Sequence, residues 1–317
     1  LLIVGLALAV AFPNLPDVTD LADYRPKLPL RVFSADGVLI GEFGEERRDF
    51  LPSSEIPDTL KKAILAAEDD SFYEHRGVDY TGLMRAALSN FVSGRRGQGG
   101  STITMQVARN FFLSSERSYV RKMYEIALAY KIESSLSKDR IFEVYANQIF
   151  LGQRAYGFAA ASQVYFGKPL KDVTIAEAAM LAGLPKAPSA YNPVRNPQRA
   201  LIRRDWILGR MLKLGYISQA QHDVAAKAPV GLNFKGSLQD VQAPYLAEMV
   251  RESLLERFGK DVYDTGYKVY TTVDSRNQNA ATEAVIAGLL AYDPRHGWRG
   301  PEAKASATPL KSLSRVG

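Results

Sequence analysis

The feature that most constrains this chain is a dense group of carboxylates directly after an apolar helical run. The run from 60 to 67 predicts a helix, and four acids follow within seven residues: Glu68, Asp69, Asp70 and Glu74. Carboxylates at this density repel one another, and the crowding raises the pKa of at least one of them, which suits a general base. A solvated, acidic helix end has the same pattern, so this stretch alone leaves two interpretations open.

Four further blocks follow the acids in a fixed order. They read GGSTITMQ at 99–106, RKMYE at 121–125, KDRIFEVYAN at 138–147 and RRDWIL at 203–208. Together with EDDSFYEHRG at 68–77, these blocks resemble the signature of the peptidoglycan glycosyltransferases, glycosyltransferase family 51. The resemblance is strong over residues 50–225. One departure is Met105, which stands where the family pattern usually has Gln.

The resemblance implies a mainly α fold: a lysozyme-like glycosyltransferase domain with a small membrane-facing lobe. A short α+β linker and the start of a second domain would follow it. The expected division is an anchor at 1–12, a tether and β-hairpin at 13–49, the glycosyltransferase domain at 50–228, and the linker with an incomplete transpeptidase domain at 229–317. The apolar triplet at 111–113 fits either the membrane-facing lobe or a buried core.

Local signals place several elements. Asp36-Gly37 between two apolar runs predicts a hairpin turn, and Thr174 followed by Glu177 predicts a capping box. Alternation over 267–274 predicts a strand. Helices are predicted at 118–134, 172–184, 199–214, 243–258 and 276–291.

The composition is that of an ordinary globular protein. The 317 residues are 46% hydrophobic and 23% charged, enough for two domains and a sizeable core. A net charge of +6 suits an anionic partner (phospholipid, pyrophosphate or nucleic acid) without choosing among them. The absence of Cys excludes disulfides, thiolate metal sites and a cysteine nucleophile, and three His residues argue against a multi-His metal centre.

Residues 1–12 are apolar and carry no charge. Twelve helical residues span about 18 Å, less than the ~30 Å hydrocarbon core of a bilayer. The run fits a truncated membrane anchor, a signal-peptide core or a buried element. We favour the truncated anchor.

Joining a sugar to a donor that carries a lipid pyrophosphate makes three chemical demands. A carboxylate must take the proton of the acceptor hydroxyl, and cations or a metal ion must meet the leaving pyrophosphate. A second carboxylate can stabilise the oxocarbenium-like sugar.

The resemblance assigns residues to these tasks. Glu68 is implied as the general base that deprotonates the 4-hydroxyl of the incoming GlcNAc. Glu125 is implied as the second catalytic acid, stabilising positive charge or binding the donor pyrophosphate through a divalent ion. Its position four residues after Arg121 also fits an ordinary ion pair.

Substrate contacts are expected from polar and basic residues in and between the blocks. The basic residues that match family contacts to pyrophosphate are Arg109, Arg117 and Lys122, although a solvated basic face has the same pattern. Asp69 is expected to hold its loop through Ser101 or a backbone amide. The full set of expected substrate-binding residues is Asp69, Ser101, Thr102, Thr104, Gln106, Arg109, Arg117, Arg121, Lys122 and Asn147.

Some neighbouring residues are expected to be structural. His75 is a lone histidine, and Arg203 and Arg204 are expected to form ion pairs. Ser135 and Lys138 match S-x-x-K, the nucleophile pattern of penicillin-recognising enzymes. The match overlaps the block KDRIFEVYAN, and the partner motifs of such enzymes are missing downstream. We therefore reject it as an acylation site.

The implied activity is polymerisation of lipid II into β-1,4-linked glycan with release of polyprenyl pyrophosphate. The residues at 267–274 and 291–301 resemble the start of the second half of class A penicillin-binding proteins, which implies a bifunctional parent. The implied location is the bacterial inner membrane, single-pass, with the catalytic part on the periplasmic side. Expected partners are lipid II, the growing glycan and the membrane, with no nucleic acid; regulatory proteins of division or elongation are left open.

A divalent cation, Mg²⁺ or Mn²⁺, is also left open, and no organic cofactor is expected. Two other functions fit parts of the pattern. A glycan hydrolase would use two carboxylates but has no need of the basic cluster. A basic scaffold for nucleic acid or anionic lipid would have no use for Glu68 and Glu125.

Overall fold

A computed structural model describes residues 15–24, 26–44, 46–84, 100–113, 119–234, 241 and 243–297. It is mainly helical, which confirms the predicted fold class. The main helices are α1 (Asp58–Glu68), α2 (Ile103–Phe112), α3 (Tyr119–Ser135), α4 (Lys138–Gln148), α5 (Phe158–Phe166), α6 (Ile175–Gly183), α7 (Pro197–Lys213), α8 (Gln219–Lys227), α9 (Pro244–Phe258) and α10 (Ser275–Tyr292).

Short strands form two small sheets, and the larger one pairs residues near the start of the described chain with residues near its end. The strands are β1 (Leu30–Phe33), β2 (Leu39–Phe43), β3 (Arg47–Arg48), β4 (Ala155–Tyr156) and β5 (Lys268–Tyr270). In the larger sheet β1 pairs antiparallel with β2 and parallel with β5, and β3 pairs in parallel with β4. The hairpin predicted at Asp36-Gly37 is present, with Gly37 at φ +82° in its turn. β5 is shorter than the strand predicted over 267–274.

Helix starts follow from capping side chains. The side-chain oxygen of Thr102 accepts a hydrogen bond from the amide of Met105 at the start of α2. The predicted capping box is present at the start of α6, where Thr174 and Glu177 satisfy each other's backbone amides. α5 ends at Gly167 with φ +65°, the left-handed conformation that glycine adopts most readily.

The main core forms where two groups of helices meet. α1 packs against α6 and α7, and α2 packs against α3 and α4. The largest side chains of this core are fully buried: Phe72, Phe142, Tyr145, Phe158 and Tyr165. This packing fixes the acid end of α1 beside α2.

The segment before the hairpin also packs on the helices of the main core. Lys131 Nζ donates to the backbone carbonyls of Leu15 and Pro16 at 3.2 and 2.9 Å. Tyr24 makes an edge contact with Phe111, with 4.9 Å between ring centroids. The triplet at 111–113 is half-buried against the main core, so this structure favours the core interpretation for it.

Within the described residues, no helix has both the length and the apolar character needed to cross a bilayer. The expected anchor at 1–12 lies outside the described residues.

Candidate active site

Glu68 ends α1 with its carboxylate at the edge of the core. Its Oε2 accepts a hydrogen bond of 2.8 Å from Nε2 of Gln106 on α2. Its Oε1 lies 3.9 Å from Nη2 of Arg203 on α7, and 12% of the Glu68 side chain is exposed. Burial raises the pKa of Glu68, and the Gln106 hydrogen bond and the charges of Arg203, Lys186 and Arg109 oppose that rise only in part. The carboxylate is therefore a stronger base than an ordinary glutamate, and its Oε1 has no hydrogen-bond donor within the described structure.

Asp69 ties the end of α1 to the start of α2. Its Oδ2 accepts from the backbone amide of Ile103 at 3.0 Å, and its Oδ1 lies 3.0 Å from Nε2 of His75. The backbone-amide bond was one of the two expected alternatives; Ser101 has a different partner. Because Asp69 is buried and occupied by these bonds, it positions the first turn of α2, and with it Gln106, rather than facing the cleft.

Thr102 and Thr104, in the block GGSTITMQ, are also directed into the protein interior. The hydroxyl of Thr102 caps α2 and donates to the carbonyl oxygen of Gly77 at 2.6 Å. The hydroxyl of Thr104 donates to Oε1 of Glu133 at 2.6 Å. Both residues are buried, so they hold α2 against its neighbours and offer no free group to a substrate.

Met105, the departure from the family pattern, is part of the core. Its side chain is fully buried in a small apolar cluster with Val78 and Ala129. The departure from the family pattern therefore changes core packing and removes no polar group from the cleft.

Glu125 on α3 lies at the centre of a second charged group. Its carboxylate is 1% exposed and accepts from Nζ of Lys122 at 2.9 Å. Lys122 also donates to Oγ of Ser101 at 2.6 Å, which links α3 to the start of α2. Oε1 of Glu125 lies 3.3 Å from Nε of Arg121, outside hydrogen-bond geometry. The expected i,i+4 ion pair is present, and it is part of a larger network that holds both cations beside a buried acid.

The donor set at Glu125 does not fit a protein-built metal site. Mg²⁺ and Mn²⁺ favour several oxygen ligands, whereas Glu125 supplies one carboxylate that already faces two cations. No cluster of three or more acidic, His or Cys side chains is present within the described ranges. We therefore derive no step through a metal ion.

The remaining expected contacts have different positions. Arg109 on α2 is half-buried, and its charge acts on Glu68. Arg117 lies outside the described residues. Asn147 was expected to face the cleft, but it is 3% exposed and its amide bonds both backbone groups of Leu51 at 2.8 Å and the carbonyl of Glu143 at 2.9 Å. Its hydrogen-bonding capacity is taken up by the fold, so it positions the segment before α1.

The sequence interpretation gave no role at Glu68 to three residues whose charge or environment is coupled to it. Arg203 was expected to be purely structural, but its guanidinium faces the base while resting 4.3 Å over the ring of Trp206. Lys186 and Tyr145 also act electrostatically on or near Glu68. The sequence signal for Arg203 was its place in the block RRDWIL, and that for Tyr145 was its place in the block KDRIFEVYAN. Lys186 lies in none of the blocks. Arg204, the next residue, donates to the carbonyls of Ala226 and Ala228 at 2.9 and 2.6 Å and is structural.

The S-x-x-K match has no catalytic geometry. Nζ of Lys138 donates to Oε1 of Glu133 at 2.7 Å, and Oγ of Ser135 donates to the carbonyl of Lys131 at 3.0 Å. Because the lysine is paired with an acid, the structure supports rejecting this serine as a nucleophile.

Comparison with known proteins places this site in a family. The family model described as Transglycosylase matches residues 36–212, more than half of the chain. The chain is 53% identical over 292 residues to penicillin-binding protein 1A of Pseudomonas aeruginosa, covering 92% of this chain and 36% of that protein. It is 52% identical over 300 residues to penicillin-binding protein 1A of Neisseria gonorrhoeae, covering 95% and 38%.

A solved structure, penicillin-binding protein 1A from Haemophilus influenzae, is 33% identical to this chain. It aligns with a TM-score of 0.48 over 90% of this chain and 34% of its own. The chain thus spans little more than a third of the length of the curated relatives it matches. With the family model covering the residues that form the site, the chain belongs to the transglycosylase family.

Proposed function

We propose that this chain is the peptidoglycan glycosyltransferase part of a longer protein and polymerises lipid II into β-1,4-linked glycan. The observation that carries the proposal is the partly buried Glu68, whose pKa is raised and whose Oε1 is left without a hydrogen-bond donor within the described residues. A carboxylate of this kind can accept a proton at neutral pH and lie within reach of a bound hydroxyl.

In the proposed reaction the 4-hydroxyl of the acceptor GlcNAc attacks the anomeric carbon of the donor sugar. The new bond joins that oxygen to the carbon, and the bond from the carbon to the pyrophosphate oxygen breaks. The hydroxyl proton moves to Glu68, and the electron pair of the broken bond leaves with the polyprenyl pyrophosphate. Gln106 holds Oε2 of the base, which directs Oε1 to the substrate.

The charged group around Glu125 is suited to bind the leaving pyrophosphate. Lys122 and Arg121 stand beside Glu125, and Ser101 orients the ammonium. A pyrophosphate would compete with Glu125 for these cations, because charge-assisted bonds to phosphate oxygens are strong. Glu125 then retains a negative charge near the donor sugar, where positive charge develops.

The location and partners follow from the same proposal. A lipid-linked substrate requires a membrane surface, and its extracytoplasmic use fits the periplasmic face of the inner membrane. Penicillin-binding protein 1A is the name of the aligned relatives, and it supports a parent that also carries a penicillin-binding transpeptidase domain.

Incubation with labelled lipid II in detergent, followed by gel separation of the products, tests the proposal. We expect a ladder of glycan chains that is absent with Glu68→Gln and retained with Glu74→Gln, which neutralises an exposed acid in the same block. The assay is run with Mg²⁺ and with chelator, because one carboxylate and a substrate pyrophosphate are together enough to hold Mg²⁺.

A ladder that survives Glu68→Gln would contradict the assignment of the base. Shortening of preformed glycan without any ladder would favour a hydrolase, in which water replaces the acceptor sugar.

A further inference from the structure

The solvent face of α7 carries an exposed apolar strip. Ile202 and Trp206 are neighbours one turn apart on this helix, and they are 70% and 48% exposed. Gly209 follows at the next turn, where a Cβ would meet no atom of the described residues within 4 Å. A glycine inside a helix is less favourable than an alanine, and no close contact with the described chain requires one here. We call Ile202, Trp206 and Gly209 the α7 strip.

The missing side chain at Gly209 uncovers the indole of Trp206. Side chains in an α-helix lean toward the N-terminus of the helix, so each one covers the surface of the turn before its own position. A larger residue at 209 would therefore lie beside the ring of Trp206. With glycine there, the α7 strip forms a shallow recess with one aromatic wall.

The indole of Trp206 is fixed close to the general base. The guanidinium carbon of Arg203 lies 4.3 Å from the centroid of the indole, and Nη2 of the same guanidinium lies 3.9 Å from Oε1 of Glu68. Because one C–N bond of about 1.3 Å separates these two contacts, the indole lies within about 10 Å of Oε1. The Arg203 side chain is only 7% exposed, so it holds the ring in place from the protein side and leaves the outer face of the ring to solvent.

The α7 strip lies on the acceptor side of Glu68. Gln106 on α2 binds Oε2 of the base, and the charged group around Glu125 lies on α3, which packs on α2. Oε1 faces Arg203 on α7, which packs on α1 and α6. In the proposed reaction Oε1 takes the proton of the acceptor hydroxyl. A sugar bound at the α7 strip would therefore belong to the acceptor.

The chemistry of the strip fits a sugar better than a lipid chain. Asp205 precedes Trp206 and is half-exposed, and its Oδ1 is fixed by Nε and Nη2 of Arg204 at 2.9 and 2.8 Å. The C–H bonds on one face of a pyranose carry partial positive charge and pack on the negative face of an aromatic ring, and its hydroxyl groups donate to carboxylates. An aromatic surface with a few fixed polar groups is typical of small-molecule sites. A hydrocarbon chain would gain nothing from the carboxylate.

We propose that the α7 strip is a carbohydrate subsite that binds the disaccharide of the acceptor lipid II, with one pyranose ring stacked on the indole of Trp206. This inference rests on the proposed function, because it takes the acceptor to be a lipid-linked sugar. The subsite contributes to acceptor binding, and the chemistry remains with Glu68.

The kinetic test compares Trp206→Ala with Trp206→Tyr in the whole chain. For Trp206→Ala we expect the KM for lipid II to rise about 5- to 10-fold, with kcat changed less than about 2-fold, because a stacking contact is lost. Trp206→Tyr keeps an aromatic face and should restore most of the affinity. Tyr245→Ala is the control, because Tyr245 is an exposed aromatic residue on α9 and should leave KM unchanged.

Gly209→Leu separates binding from folding. Leucine is a better helix former than glycine, and its side chain would fill the recess beside Trp206. We expect this variant to melt no lower than the unsubstituted chain and to have a higher KM for lipid II. An unchanged KM in both Gly209→Leu and Trp206→Ala would overturn the inference. So would an unchanged KM in Trp206→Ala with the acid limb of the pH profile displaced to higher pH, since Trp206 would then serve only to hold Arg203.

Direct binding is measured with the soluble disaccharide GlcNAc–MurNAc. The chain has two tryptophans, Trp206 and Trp298, so their indole N–H resonances can be assigned with Trp206→Phe. We expect the disaccharide to shift the resonance of Trp206, and maltose to leave it in place. A shift caused by phospholipid vesicles and not by the disaccharide would assign the strip to lipid and contradict the proposal. Absence of glycan synthesis with the shift retained would count against the proposed function alone, because the resonance reports sugar binding without turnover.

Discussion

The guanidinium of Arg203 lies 3.9 Å from the carboxylate of Glu68, and neither side chain is more than 12% exposed. Among the described residues, Arg203 donates one hydrogen bond to the backbone, from Nη2 to the carbonyl of Ala67, and it is long at 3.4 Å. Contacts of these lengths indicate that Arg203 acts on Glu68 chiefly through its charge. A positive charge at this distance favours the ionised carboxylate and opposes the effect of burial.

Replacement of Arg203 by Gln should therefore raise the pKa of Glu68 further. The acid limb of the pH profile for polymerisation should move to higher pH, because the base then loses its proton only at higher pH. Arg204→Gln is the matched control, because Arg204 is also buried but bonds two carbonyls at the end of α8. We expect that variant to be less stable, with its acid limb in place. Equal displacement of the limb in both variants would show that the effect is one of folding.

Glu68→Gln should change stability in a way that depends on pH. The folded-state pKa of Glu68 is raised by burial, so the protonated acid stabilises the fold at low pH. That contribution is lost as the pH rises through the folded-state pKa. Gln resembles the protonated acid, so we expect Glu68→Gln to melt above the unsubstituted chain at pH 8 and level with it at pH 4.

Thermal melting followed by circular dichroism checks this expectation. Each kcal/mol corresponds to about 2–4 °C in a domain of this size. Glu74→Gln serves as the control, because Glu74 is exposed. We expect this variant to melt at the same temperature as the unsubstituted chain, both at pH 4 and at pH 8. A Glu68→Gln variant less stable than the parent at pH 8 would mean that the cations around Glu68 outweigh its burial.

The sequence predicted those parts of the fold that short stretches of chain determine. Asp36-Gly37 specifies a hairpin turn and Thr174-Glu177 a capping box, and both are present. The helix from 119 to 135 also begins and ends within one residue of its prediction. These features depend on neighbours within a few residues, so their physics can be read from the sequence.

The orientation of side chains toward the site was not predictable in the same way. Asn147 and Tyr145 lie on the same helix two residues apart; the first is bonded to Leu51, and the charge of Glu68 acts on the second. Which side chain of α4 is affected by the base depends on how α4 meets α1 and α2. Arg203 and Arg204 differ for the same reason, because one position along α7 changes the side chain's direction by about 100°.

The cap of α2 should matter more than an ordinary helix cap. Thr102 accepts from the amide of Met105 and donates to the carbonyl of Gly77, both in buried surroundings. We expect Thr102→Ala to lower the free energy of unfolding by about 2–3 kcal/mol, the loss of a cap together with an unsatisfied carbonyl. Ser137→Ala removes the exposed cap of α4 and should cost about 0.5–1 kcal/mol. Urea denaturation of both variants measures the difference, and equal losses would refute the added role of Gly77.

Restoring the family residue at position 105 should harm this protein. Met105 is fully buried between Val78 and Ala129, so Gln at this position would place an amide in an apolar cluster. We expect Met105→Gln to lower the free energy of unfolding by about 1–3 kcal/mol without raising kcat for lipid II polymerisation. Met105→Leu, which keeps an apolar side chain of similar volume, should cost less than about 1.5 kcal/mol. Urea denaturation and the gel assay together decide the matter: a Gln variant as stable as the Leu variant and more active than the parent would show that position 105 reaches the cleft.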